Sequence, residues 1–157
     1  MKRYLIALVV VLMTGFIFGA NAQPQRTRTA TADTSVGQQQ PLYTDFRGVK
    51  LGMTADEVRE KLGAPVLKDA ELDYFVLSDS ISAQVAYDAN HKARIISVDY
   101  ANGTGAPDYR SVVGEALTTR ADGSAYAMVR YESRGFWVSY NRTAGTVIIV
   151  TITIQKI

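Results

Sequence analysis

One histidine, no cysteine and 15 acidic side chains bound the chemistry open to this 157-residue chain. His91 stands between Asn90 and Lys92 at what reads as a hairpin tip, where a histidine is ordinarily a solvated polar residue and not a base or ligand. A Ser-His-Asp triad would have to use it, and the chain has no nucleophile elbow. A metal would have to rest on carboxylates, and no calcium-loop spacing occurs. The absence of cysteine removes disulfides and thiolate chemistry. Asp56 and Glu57 read as helix-capping residues, and Asp69, Glu71 and Asp73 as the solvated approach to a strand. These residues point away from an enzyme and imply no metal and no cofactor.

The N-terminus carries a targeting pattern. Lys2 and Arg3 precede an apolar run over residues 4–18, and Ala20-Asn21-Ala22 offers a small-x-small cleavage site. The alternative is an uncleaved anchor, but the run of about 15 residues is short for a span of roughly 20. The expectation is an exported chain, periplasmic or extracellular, with 1–22 removed as a signal peptide and no transmembrane span left. Cleavage takes away two basic residues and no acidic one, so the net charge of +2 becomes 15 basic against 15 acidic side chains. No basic block remains to neutralise phosphates, which excludes a nucleic-acid partner. Residues 23–40, QPQRTRTATADTSVGQQQ, hold no aromatic and one aliphatic side chain larger than alanine, Val36. That composition predicts a disordered linker over 23–41 and a folded domain over 42–157, about 115 residues.

What must position any site is a set of short elements. In GVKLGMTADEVREKLGAP, residues 48–65, Thr54 and Glu57 form a capping box, with Met53 and Val58 as its hydrophobic staple. Val58 and Leu62 share one face while Arg59, Glu60 and Lys61 read as facing water. Gly63 and Pro65 end the helix. Period-two alternation then predicts three antiparallel strands, burying Leu72, Tyr74 and Val76, then Ala83, Val85 and Tyr87, then Ile96, Val98 and Tyr100. The order recurs: a weaker helix near 107–117, then strands that bury Phe136, Val138 and Tyr140 and, last, Val150, Ile152 and Ile154. The fold class predicted is α+β, short helices packed on an antiparallel sheet, by tandem duplication of a helix-plus-three-strand unit over about 43–100 and 106–157. Asn102 and Asn141 match the glycosylation sequon, and Asn141 reads as a turn residue.

Residues 48–65 resemble the G-M-T-x-x-x-V-x-x-x-L-G-x-P signature of small outer-membrane assembly lipoproteins of the SmpA/OmlA type, and equally the repeat of the β-lactamase inhibitor protein family. The resemblance implies helices on an antiparallel sheet, a cell-envelope or inhibitory setting, and a protein partner. In the inhibitor family an Asp in the first hairpin enters the partner's active site, which by resemblance directs attention to Asp79. The chain departs from the lipoproteins in having no cysteine to acylate, and its second half has Pro107-Asp108-Tyr109 where the first has Gly52-Met53-Thr54.

The strand alternation also predicts an outward face. It places Phe75 and Leu77 there, together with Tyr126, Met128, Arg130 and Trp137. A two-residue turn at Ser133-Arg134 sets Arg130 opposite Trp137, a pair able to stack as cation–π. Tyr, Trp, Met and Arg are the types enriched at interfaces. Such a face is either covered within the molecule or offered to a partner. The functional expectation is an exported binding module that engages a protein through Trp137, Arg130, Tyr126, Met128, Phe75 and Asp79. The alternative is a structural accessory of a cell-envelope assembly.

Overall fold

The computed structural model describes residues 40–114 and 116–157, so the expected signal peptide and nearly all of the expected linker lie outside the described residues. Helix α1 (Ala55–Leu62) starts where Thr54 Oγ1 accepts the Glu57 N–H and the Glu57 carboxylate accepts the Thr54 N–H at 2.7 Å, closing both ends of the capping box. It stops at Gly63, whose φ of +88° is open to glycine and strained for other residues. Two turns of helix are not stable alone. Val58 is fully buried, which contributes about 1.5–3 kcal/mol, and Leu62 packs half-buried against the core.

The chain continues as β1 (Leu67–Lys68), β2 (Leu72–Val76), β3 (Ile81–Tyr87), β4 (Ala93–Ala101), α2 (Tyr109–Val112), β5 (Thr118–Thr119), β6 (Ala125–Tyr131), β7 (Phe136–Arg142) and β8 (Ile149–Lys156). All eight strands belong to one antiparallel sheet in the order β1-β2-β3-β4-β8-β7-β6-β5. Phe75, Ile96, Val98, Val138, Ile152 and Ile154 stand on one face and join Val58 of α1 and Val112 of α2 in a single cluster. Both helices therefore cover the same face. Among the described residues no helix is long and apolar enough to cross a membrane.

This architecture corrects the predicted α+β duplication. The molecule is a sheet with two helices, one of them a single turn, and not a helix-plus-three-strand repeat. The expected second helix stops after four residues because Val113 caps it and Gly114 leaves at φ +73°. Each half carries a fourth strand, β1 or β5, of two residues, too short to show any alternation. Asn141 lies within β7, not in a turn.

The faces of β2 are also the reverse of those predicted. Phe75 is 1% exposed and Leu77 packs against the core, whereas Val76 is 56% exposed. The cause is Asp73. It has no exposed surface because Arg59 reaches from α1 to grip it, Nε to Oδ2 at 2.9 Å and Nη2 to Oδ1 at 3.0 Å, while the Tyr87 hydroxyl donates to Oδ2 at 2.8 Å. With Asp73 pointing inward, period two carries Phe75 inward with it. Phe75 is a core residue and leaves the set of candidate binding residues.

Candidate functional site

The helix-free face of the sheet is built by strand register. One row runs Leu72, Ala86, Ile95, Gln155, Trp137, Arg130 from β2 to β6, and the next runs Tyr74, Gln84, Ser97, Thr153, Ser139, Met128. A third runs Val76, Ser82, Asp99, Thr151, Asn141, Tyr126. Short hydroxyl and amide side chains fill the middle. They bond to one another across the strands: Ser97 and Thr153 lie 3.1 Å apart, and Thr151 donates to Asp99 at 2.6 Å. In these three rows the charged residues are Asp99 and Arg130, and Asp99 is already bonded.

Larger side chains gather on β6 and β7. Met128 is 37% exposed, Trp137 and Tyr126 are partly buried, and Arg130 stands directly opposite Trp137. The turn joining these strands is a 3-10 turn at Glu132–Arg134 closed by Gly135 at φ +72°. The Arg130 guanidinium uses it. In place of stacking on Trp137, its Nε donates to Glu132 Oε1 at 2.9 Å, and the guanidinium–ring stacks lie elsewhere, Arg47 on Phe46 and Arg110 on Tyr109. With Arg130 about half exposed, the ion pair to Glu132 is a surface pair worth little and easily exchanged.

Asp79 lies apart from this cluster. It sits exposed in the β2–β3 turn, beside a shallow cleft lined by Tyr74, Val76, Ser82, Asp99 and Ile149. Five strand steps separate β2 from β6, about 24 Å at the usual spacing. The structure thus brings together Tyr126, Met128, Arg130 and Trp137, leaves Asp79 at the opposite end of the face, and removes Phe75 to the core.

The buried trio Arg59–Asp73–Tyr87 went unnoticed in the sequence, where Arg59 read as solvated and Asp73 as a strand approach. An Arg at one helix turn from the N-cap facing a strand Asp gives no periodic signal. Arg59 also borders a cleft of about 630 Å³ with Thr54, Asp56, Lys68, Asp69 and His91. The Asp73 carboxylate accepts three hydrogen bonds, so it is committed to holding α1 on the sheet. Its hydrogen bonds raise the Arg59 pKa, and burial, reinforced by the Asp73 bond, pushes the Tyr87 phenol well above its ordinary range. Neither group is poised to exchange a proton near neutrality. His91 is exposed at φ +55° in the β3–β4 turn. Among the described residues no group of His, Asp and Glu is arranged to hold a metal.

Comparison with family models, curated proteins and solved structures gave no match for this chain.

Proposed function

We propose that the protein is an exported, non-enzymatic binding module that takes a protein partner on its outward sheet face, with Trp137 as the anchor. The observation that carries this reading is the composition of that face at β6 and β7. Trp137, Tyr126, Met128 and Arg130 stand side by side, next to a broad area that is almost free of charge. Depletion of charge with local enrichment in Trp, Tyr, Met and Arg is the compositional mark of an interface core. The aromatic rings would supply apolar area at small entropic cost, and Arg130 would exchange Glu132 for a carboxylate or carbonyl of the partner. The export half of the proposal rests on the N-terminal targeting pattern.

The test is capture from cell-envelope and culture-medium extracts with the tagged protein, followed by affinity measurement against the captured partner. Trp137→Ala is expected to weaken binding by about 2 kcal/mol, some thirtyfold. Arg130→Ala should lose part of the same energy, and the double variant less than the sum, because the two are cross-strand neighbours. Val76→Ala, on the same face but on β2, should bind like the parent protein. Asp79→Ala should matter only if the partner spans the full width of the face. Equal affinity of Trp137→Ala and parent removes the face from consideration. A tagged protein that fractionates with the envelope, in a stoichiometric assembly, would favour the structural-accessory role over a free binding module.

A further inference from the structure

The two edges of the sheet are finished differently. At one, β1 pairs with Asp73 and Tyr74 of β2, Val66 N–H donates to the Tyr74 carbonyl at 2.8 Å and Asp69 N–H to the Leu72 carbonyl at 2.9 Å, so the edge is closed along most of its length. At the other, β5 meets β6 only at Ala125 and Tyr126, and among the described residues no strand lies beside 127–131. The direction of the open groups follows from one bond. Arg120 N–H donates to the Ser124 carbonyl at 2.8 Å, so even-numbered residues of β6 turn their backbone groups toward β5 and odd-numbered ones toward β7. Thr118 is the β5 residue opposite Tyr126. Met128 and Arg130 are left with two N–H donors and two carbonyl acceptors aimed along an open edge, which is a template for another strand.

We propose that this edge pairs with the same edge of a second copy of the chain, antiparallel about a two-fold axis at Val129, Met128 facing the partner's Arg130. Three registers bring the open groups into phase. Centring on Met128 would run the second strand into the place held by β5. Centring on Arg130 would set two guanidinium groups directly opposite, which is destabilising. Centring on Val129 satisfies all four open groups of each copy. It sets Met128 against arginine on the outward face, and on the core face it sets the small Ala127 against Tyr131. The sequence of β6, Ala-Tyr-Ala-Met-Val-Arg-Tyr, is in this sense complementary to itself. The contact is isologous and does not depend on what docks on the outward face.

Sedimentation velocity on the purified protein over a concentration series tests the pairing. An edge-only contact is small and should associate weakly, so the sedimentation coefficient should rise with concentration from the monomer toward the dimer value. Met128→Pro removes an N–H that has no partner in the single molecule, so circular dichroism should be unchanged while the dimer is lost. Met128→Glu distinguishes the register: it places a carboxylate opposite arginine twice per dimer and should tighten association about tenfold at low salt. Adding Arg130→Glu then opposes like charges and should abolish it. A monomer at every concentration, a dimer indifferent to Met128→Pro, or a dimer weakened by Met128→Glu alone would each overturn the proposal.

Discussion

Asp73 has no exposed surface, and Arg59, its counter-charge, is 20% exposed through its side chain. Removing one member of such a pair is expected to cost about 3–5 kcal/mol, since the other charge stays buried without compensation. Arg59→Met should therefore lower the denaturation midpoint far more than a typical surface substitution. The triple variant Arg59→Met, Asp73→Leu, Tyr87→Phe removes every polar group of the cluster and should recover most of that loss. Urea denaturation of the two variants decides it, and a triple variant no more stable than Arg59→Met would show that the trio is favourable as a unit. The same residues mark where sequence reading fails. An aspartate in a strand is ordinarily placed in water, and its partner lies 14 positions away on a helix. With Asp73 read as outward, period two carries Phe75 outward as well, and a core side chain reads as a binding residue. Tyr126, Met128, Arg130 and Trp137 carry no such trap, because β6 keeps an unbroken period of two, with Ala125, Ala127, Val129 and Tyr131 inward, and Trp137 stands across from Arg130 in register.

Elements with a period or a marked end were legible, and elements with neither were not. The Thr54 and Glu57 pair, the Val58 and Leu62 spacing and Gly63 define α1 to within a residue. Thr54→Ala should cost ~1 kcal/mol, the usual loss of an N-cap oxygen. At Gly63 a Cβ would meet nothing within 4 Å, so a substitution there carries no steric clash with neighbours. Any loss in Gly63→Val is then the conformational cost of a β-branched residue at φ +88°, at least ~1 kcal/mol. Gly63→Asn should lose less, because Asn tolerates positive φ better than valine. Thermal midpoints ranked parent, Asn, Val would bear this out, and a valine variant equal to the parent would mean that the helix end relaxes freely. β1 and β5, by contrast, are two residues each and have no readable period. They exist because β2 and β6 offer edges for them to join. Missing them turned an eight-stranded sheet into a pair of three-stranded units in the sequence reading, and concealed the open edge of β6.

At the scale of the whole molecule, the core face is rich in phenols, and these link stability to alkaline pH. Tyr43, Tyr87, Tyr100 and Tyr140 are each held above the ordinary tyrosine value of 10.0, in every case chiefly by burial. At Tyr87 the proton is also held in a hydrogen bond, donated to Asp73 at 2.8 Å. A group whose pKa is raised by folding stabilises the native state fully below its unfolded value, and that contribution is lost as pH rises toward the folded value. Four such groups spread over β3, β4, β7 and the segment before α1 act in the same direction. The urea midpoint should be flat from neutrality to about pH 9 and fall steeply above about pH 10. Phenolate absorbance of these residues should then develop together with loss of far-ultraviolet dichroism, because burial disfavours the phenolate in the native state. Tyr87→Phe should lower stability at neutral pH, by orphaning one hydrogen bond of Asp73, yet flatten the alkaline slope. If phenolate absorbance instead rises fully while the dichroism stays native, the four rings are reached by water within the folded state. The core face would then be looser than the packing of α1 and α2 on the sheet implies.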